Sequence, residues 1–129
     1  MAKILVIDDE YSVRIYLQYM LKAFGHTVIV ADGGSQGLSR FTEESPDLVI
    51  TDMFMHGTDG VEVIRQVRKL APEVPVIAIT GNPFSNVLDF ARHLGVAAVL
   101  EKPFSRDQLL HTLKSALASL RPVSVKPGN

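Results

Sequence analysis

The stretch Lys3-Ile4-Leu5-Val6-Ile7-Asp8-Asp9 sets four consecutive apolar residues directly before two carboxylates. Apolar side chains at every position, rather than at every second one, are typical of a strand that is covered on both faces of its sheet. Four further runs of this kind follow, at 28–31, 48–50, 76–79 and 96–100. The sequence therefore predicts five buried strands.

Stretches with helical periodicity alternate with these runs. Apolar residues recur at steps of three and four positions over 13–24, 61–70, 87–94 and 109–120. A helix over about 34–43 is the weak one, because each glycine inside a helix costs about 1 kcal/mol relative to alanine. Ser105 and Gln108 form a capping-box pattern before the last helix, and Gly25 and Gly95 stand where a left-handed residue would end one.

Five strand-then-helix units in succession predict an α/β fold with a parallel sheet between two layers of helices. At this length we expect the flavodoxin-like (βα)5 sandwich with strand order 2-1-3-4-5. The pattern stops after Leu120. We therefore expect one domain over 1–120 and a flexible tail or linker over 121–129, which contains two prolines.

The composition excludes several classes of protein. The 129 residues suffice for one domain, and 47% hydrophobic with 21% charged residues is a globular balance. With 13 basic and 14 acidic residues the formal charge is −1, which argues against a duplex-binding surface. The absence of cysteine excludes disulfides, thiolate metal sites and cysteine nucleophiles. Without a signal peptide or a membrane span, we expect a soluble cytoplasmic domain that binds neither membrane nor nucleic acid directly.

Polar and charged residues follow four of the five predicted strands. Asp8 and Asp9 follow the first, Asp52 the third, Thr80 the fourth and Lys102 the fifth. Ligands of open parallel sheets bind beyond the carboxyl ends of the strands, so we expect these side chains to converge. The first, third and fourth strands would be neighbours about 4.8 Å apart, and the fifth would lie about 10 Å from the third. The long stem of a lysine reaches across most of that distance.

Three carboxylates in one place repel one another and need compensation. Two unit charges about 4 Å apart cost about 4 kcal/mol at an effective dielectric constant near 20, so the cluster must bind protons or a cation. A few hard oxygen ligands with open coordination positions favour Mg²⁺ with bound waters and a phosphate oxygen. The Thr80 hydroxyl and the Lys102 ammonium suit a phosphoryl group. An aspartate in this setting is a candidate nucleophile that forms an aspartyl phosphate.

Asp8-Asp9, Asp52, Thr80 and Lys102-Pro103-Phe104, each ending its strand, resemble the receiver domain of two-component response regulators. The segment 52–60 is similar to the phosphoacceptor segment of that family. The resemblance implies that Asp52 accepts a phosphoryl group from a sensor histidine kinase or a histidine phosphotransfer protein, with Thr80 and Lys102 on the phosphoryl oxygens. It also implies that phosphorylation changes the face formed by helix 4, strand 5 and helix 5, which then binds a downstream effector protein.

The resemblance further implies a cofactor and its ligands. Asp9, Asp52 and the backbone carbonyl of Phe54 would hold Mg²⁺, and Asp8 would act mainly through a metal-bound water. The Lys102–Pro103 peptide bond would be cis. Such a domain catalyses only its own phosphorylation and dephosphorylation and is not an enzyme for a separate substrate.

Three positions depart from the family pattern. Val99 stands where an aromatic switch residue is usual, His56 replaces a proline, and Phe54 is bulky and apolar. In the family the positions of Phe54 and Asn82 tune the lifetime of the phosphoryl group, and we expect a phenylalanine to impede an attacking water. Two alternatives stay open: a degenerate receiver that is a constitutive interaction module, and an aspartyl-phosphate hydrolase of the haloacid dehalogenase type. The hydrolase needs a second aspartate two residues after the first, where this chain has Phe54.

Overall fold

The computed structural model describes residues 1–55, 59–81 and 85–118. Strands and helices alternate through these ranges, as the apolar runs and the helical periodicity predict. The strands are β1 (Lys3–Ile7), β2 (Thr27–Ala31), β3 (Leu48–Asp52), β4 (Val76–Thr80) and β5 (Ala98–Glu101). The helices are α1 (Tyr11–Ala23), α2 (Gly34–Glu44), α3 (Gly60–Leu70), α4 (Ser85–His93) and α5 (Arg106–Ala118). Within the described ranges, none of these helices is both long and apolar enough to cross a membrane.

The strands form one parallel sheet in the order β2-β1-β3-β4-β5, which confirms the flavodoxin-like (βα)5 prediction. The register pairs Asp52 with Ile79 and Thr80 with Glu101. The last residues of β3, β4 and β5 therefore lie at one edge of the sheet, and β1 ends beside β3 at that same edge. This is the edge where open parallel sheets bind ligands.

Helices cover both faces of the sheet. Alternate residues of β1 point to opposite faces: Ile4 and Val6 share a core with α1 and α5, whereas Leu5 and Ile7 share a core with α2, α3 and α4. All four side chains are fully buried, which confirms the two-sided coverage that consecutive apolar residues predict. Full burial of each such side chain contributes about 1.5–3 kcal/mol of hydrophobic free energy.

The start of β5 differs from the prediction, because the apolar run 96–100 begins two residues before the strand. The backbone N–H of Val96 lies 3.5 Å from the carbonyl oxygen of Ala91 in α4. Val96 therefore belongs to the connection that closes α4, and its side chain is apolar because it packs on the same core as α3 and α4. Residues 119–129, which include the predicted tail, lie outside the described residues.

The predicted helix ends are confirmed at three places. The N–H of Gln108 donates to the Ser105 hydroxyl at 3.1 Å, and the N–H of Ser105 donates to the Gln108 side chain at 2.8 Å. This reciprocal pair is a capping box at the start of α5. Gly25 and Gly95 follow α1 and α4 with φ values of 96° and 88°, which residues with a Cβ rarely adopt.

Two other glycines let helices approach the sheet closely. A Cβ at Gly37 would lie 2.5 Å from Cδ1 of Ile7, and a Cβ at Gly60 would lie 1.6 Å from the backbone oxygen of Asp52. Gly37 lowers the helix propensity of α2, but its lack of a side chain lets α2 pack closely against β1. A Cβ at Gly60 would clash with backbone atoms, and no side-chain rotation could relieve that clash.

Replacement of Gly60 by alanine is expected to destabilise the protein, because the new methyl group collides with the backbone of Asp52 and Met53. We expect the free energy of unfolding to fall by about 1–3 kcal/mol or more, as for other overpacked sites. Gly33→Ala is the matched control, because a Cβ at Gly33 has no neighbour within 4 Å. Chemical denaturation of both variants measures the two effects, and equal effects would contradict the close packing of α3.

His26 accepts a hydrogen bond at the start of β2. The backbone N–H of Ala2 donates to Nδ1 of His26 at 2.9 Å, and the N–H of Thr27 donates to the carbonyl oxygen of Ala2 at 2.9 Å. Burial lowers the pKa of His26 below its ordinary value of 6.5, and the charge of the N-terminus lowers the pKa further. Folding therefore favours the neutral imidazole, whose unprotonated Nδ1 is the acceptor.

Acidification is expected to remove this contribution to stability. Because the pKa of His26 is lower in the folded chain than in the unfolded chain, the contribution is fully present above about pH 6.5 and declines below that pH. His26→Asn keeps an acceptor in the same region but does not titrate, so it should lose less stability between about pH 7 and pH 5. Thermal unfolding of both proteins across this range measures the difference, and parallel declines would refute the role of His26.

Candidate functional site

Neighbouring strands bring acidic and hydroxyl side chains to one edge of the sheet. Asp8 follows β1, Asp52 ends β3 and Thr80 ends β4, and all three residues are buried. Lys102 follows β5, and its side chain is 20% exposed. Because β3 and β4 are buried along their whole length, the sheet holds the backbone of this edge in place.

The ammonium of Lys102 lies among three carboxylates. Its Nζ is 2.7 Å from Oε1 of Glu10, 3.1 Å from Oδ2 of Asp52 and 3.3 Å from Oδ2 of Asp8. Burial alone would lower the pKa of Lys102, but the hydrogen bonds to Glu10 and Asp52 and the nearby negative charges outweigh burial and raise the pKa above its ordinary value. Lys102 is therefore a fixed positive charge that joins the ends of β1, β3 and β5.

Asp8 is a fully buried carboxylate whose two oxygens have different surroundings. Its Oδ1 accepts a hydrogen bond from the N–H of Glu10 at 2.8 Å, and Nη1 of Arg14 donates to its backbone oxygen at 2.7 Å. Apart from the ion pair with Lys102, Oδ2 accepts no hydrogen bond from the described residues. Burial raises the pKa of Asp8, and the charge of Asp52 raises it further; the Glu10 N–H and the Lys102 ammonium oppose the rise without cancelling it. A divalent cation in addition to Lys102 would further relieve this unfavourable burial of charge.

Asp52 is held through both its backbone and its side chain. The carboxylate Oδ1 accepts a hydrogen bond from the N–H of Phe54 at 3.3 Å, and Oδ2 contacts Lys102. The Thr51 hydroxyl donates to the backbone oxygen of Asp52 at 3.0 Å, and the absence of a side chain at Gly60 leaves room for that oxygen. Phe54 is 51% exposed, and its effect on the lifetime of a phosphoryl group stays a prediction.

The acidic side chains offer ligands for a cation. One carboxylate oxygen from each of Asp8, Glu10 and Asp52 lies within 4.8 Å of the other two. Hard oxygen donors of this kind suit Mg²⁺, and the buried Oδ2 of Asp8 is an acceptor that a cation would satisfy. The residues therefore fit the metal that the sequence predicts.

Glu10 belongs to this cluster, although the sequence pattern does not predict a role for it in the site. Asp9 is half-buried and does not belong to the group of three among the described residues. A direct contact of Asp9 with Mg²⁺ and an indirect role of Asp8 therefore stay predictions. The signal that points to Glu10 is its position two residues after Asp8, which directly follows a buried strand, together with a side chain long enough to reach Lys102.

Thr80 is joined to β5 through the backbone. The N–H of Lys102 donates to the carbonyl oxygen of Thr80 at 2.8 Å, and the Lys102–Pro103 peptide bond is cis, as the resemblance implies. Val99 pairs with Ala78 and packs half-buried on the core shared with α3 and α4, so an aliphatic side chain occupies the usual place of the aromatic switch. His56 and Asn82, the other two positions that bear on the family pattern, lie outside the described residues.

Known proteins resemble the chain in sequence. The family described as response regulator receiver domain matches residues 4–114. Sporulation initiation phosphotransferase F of Bacillus subtilis is 32% identical over 115 residues, which cover 89% of this chain and 93% of that protein. Protein PilH of Pseudomonas aeruginosa is 33% identical over 120 residues, which cover 92% and 99% of the two chains. The transcriptional regulatory protein PhoP of Bacillus subtilis is 36% identical over 117 residues, but this chain spans only 48% of its length.

Solved structures resemble the chain in fold. A response regulator receiver domain protein of Clostridium thermocellum superimposes with a TM-score of 0.85 at 34% identity, over 92% of this chain and 95% of that one. Chemotaxis protein CheY4 of Vibrio cholerae also gives a TM-score of 0.85, at 28% identity, over 90% and 98% of the two chains. These similarities agree with the strand order of the sheet. The chain therefore belongs to the response regulator receiver domains of two-component systems.

Proposed function

We propose that this receiver domain accepts a phosphoryl group on Asp52 from a phosphohistidine partner in a Mg²⁺-dependent reaction, and that phosphorylation switches partner binding. The observation that carries the proposal is the contact of Lys102 with Asp52, 3.1 Å from Nζ to Oδ2, beside two further carboxylates. A carboxylate nucleophile, a fixed cation and an acidic site for a divalent metal are the parts that phosphoryl transfer to an aspartate needs.

Asp52 is the proposed nucleophile. One of its carboxylate oxygens attacks the phosphorus atom, and a P–O bond forms as the P–N bond of the phosphohistidine breaks. The electron pair of the broken bond stays on the imidazole nitrogen, which exchanges protons with solvent. Lys102 balances negative charge on the phosphoryl oxygens, and the Thr80 hydroxyl donates to one of them.

Asp9, Asp52 and the backbone carbonyl of Phe54 are the proposed ligands of Mg²⁺, with Asp8 acting through a metal-bound water. When bound, the ion offsets the repulsion among the carboxylates and the charge of the transferring group. The buried Oδ2 of Asp8 pairs with Lys102 but accepts no hydrogen bond from the described residues, which supports a further cation in this place.

The proposed phosphodonor is a sensor histidine kinase or a histidine phosphotransfer protein. A relative whose name describes it as a phosphotransferase, with 93% of its length matched, supports phosphoryl exchange as the function. The proposed output surface comprises α4, β5 and α5, through which the domain would bind an effector protein in the cytoplasm without direct contact to membrane or nucleic acid. Val99 lies on β5, so this surface would respond without the usual aromatic side chain.

The two alternatives receive less support. A hydrolase of the haloacid dehalogenase type needs a carboxylate two residues after the nucleophile, and Phe54 occupies that position with an exposed ring. A degenerate receiver has no need for the carboxylates of Asp8 and Asp52 beside Lys102. Both carboxylates are buried, and the burial of charged groups costs free energy.

Phosphorylation of Asp52 is tested by the mass of the intact protein. Acetyl phosphate with Mg²⁺ should add the mass of one phosphoryl group to the purified chain, and Asp52→Asn should abolish the gain because the nucleophilic carboxylate is lost. Asp107→Asn is the control, since the Asp107 side chain is 93% exposed and lies outside the site. The proposal fails if Asp52→Asn gains the same mass, or if the wild type gains none even from a competent histidine kinase.

Asp8→Asn is expected to change how stability depends on Mg²⁺. Removal of this buried charge leaves Lys102 paired with Glu10 and Asp52, so the variant should be more stable than the wild type in metal-free buffer, because burial disfavours the charged form of Asp8. The stabilisation of the folded chain by millimolar Mg²⁺ should shrink in the same variant, because only the folded chain assembles the ligands.

Thermal and chemical unfolding with and without Mg²⁺ measure both effects of Asp8→Asn. Glu43→Gln, which removes an exposed acid of α2, is the control and should leave the Mg²⁺ response intact. Equal responses of Asp8→Asn and the wild type to Mg²⁺ would argue against a cation site at this edge.

A further inference from the structure

Glu10 makes the shortest of the three carboxylate contacts to Lys102, at 2.7 Å. It is also the most accessible of the three partners, since its side chain is 57% exposed whereas those of Asp8 and Asp52 are buried. Lys102 therefore pairs with two buried carboxylates, which are held in place, and with one exposed carboxylate, which can move into solvent.

Among the described residues, the Glu10 side chain forms no hydrogen bond or ion pair other than its contact with Lys102. Glu10 is the N-cap residue of α1, but its side chain forms no capping hydrogen bond there. Its backbone oxygen alone serves the helix, by accepting from the N–H groups of Val13 and Arg14 at 3.2 and 3.1 Å. The carboxylate instead connects the start of α1 to the segment after β5, 92 residues away in the sequence.

A phosphoryl group on Asp52 would compete directly with Glu10. A carboxylate oxygen of Glu10 lies within 4.8 Å of one from Asp52, so added phosphoryl oxygens would extend into space beside a like charge. Both anions also require the same ammonium, which can donate only three hydrogen bonds. Glu10 can withdraw into water at small cost, because exposed ion pairs contribute little free energy.

We propose that Glu10 is a displaceable counterion for Lys102, a positioning residue that holds the ammonium at the site while Asp52 is unmodified and releases it to the phosphoryl group. This inference rests on the proposed function and adds a residue to it. Its consequence is that Glu10 opposes phosphorylation, because each phosphorylation event must first break the 2.7 Å ion pair.

The test is the affinity of the purified protein for beryllofluoride, measured by calorimetry or ¹⁹F NMR at saturating Mg²⁺. Glu10→Gln should bind this phosphoryl mimic about two- to fivefold more tightly than the wild type, the range set by an exposed ion pair. Glu10→Asp should show the same gain, because the shorter side chain keeps the charge but withdraws it from Lys102. Glu101→Gln is the matched control, since Glu101 is an exposed acid directly before Lys102 and outside its contacts.

The outcomes separate this inference from the proposed function. Equal affinities of the wild type and both Glu10 variants, or weaker binding by Glu10→Gln, would overturn the counterion role and leave phosphorylation of Asp52 standing. A gain in Glu10→Gln that Glu10→Asp does not share, or that Glu101→Gln matches, would show a general effect of charge and would also overturn it. Failure of the wild type to bind beryllofluoride at all would contradict the proposed function itself.

Discussion

The ion-pair cluster around Lys102 is the interaction on which the acidic edge of the sheet depends. Asp8, Asp52 and Glu10 bring three negative charges within reach of one ammonium, whose Nζ lies between 2.7 and 3.3 Å from each. Without Lys102, two of these carboxylates would be buried and uncompensated, which costs several kcal/mol per ion. The parallel order β2-β1-β3-β4-β5 makes the cluster possible, because it ends β1 beside β3 and leaves only β4 between β3 and β5.

The site lowers the stability of the domain at Asp8. The carboxylate of Asp8 is fully buried, and burial raises its pKa against the opposing effects of the Glu10 N–H and the Lys102 ammonium. A hydrophobic side chain at this position would suit an inert fold better. The carboxylate directly follows β1 and has an oxygen within 4.8 Å of one from Asp52, so this local loss of stability fits the proposed chemistry of Asp52.

Much of the fold could be predicted from the sequence because a buried parallel strand leaves an unbroken apolar run. The runs that contain Ile4 and Ile77 predict their strands, and the residues after each run predict the edge where Asp52 and Lys102 meet. The start of β5 could not be predicted, since Val96 is apolar for packing beside α4 and not for strand pairing. The role of Glu10 could not be predicted for a different reason. The periodicity of a strand or helix predicts the face on which a side chain lies, but not which distant residue a long side chain contacts.

A crystal structure of the protein with Mg²⁺ and beryllofluoride tests the role of Lys102 beside Asp52 most directly. We expect beryllium bonded to a carboxylate oxygen of Asp52, Nζ of Lys102 within about 3 Å of a fluorine, Mg²⁺ among the carboxylates at this edge of the sheet, and Glu10 turned away from Lys102. A fluoride complex bound elsewhere, or Lys102 out of contact with an occupied Asp52, would contradict the proposed site.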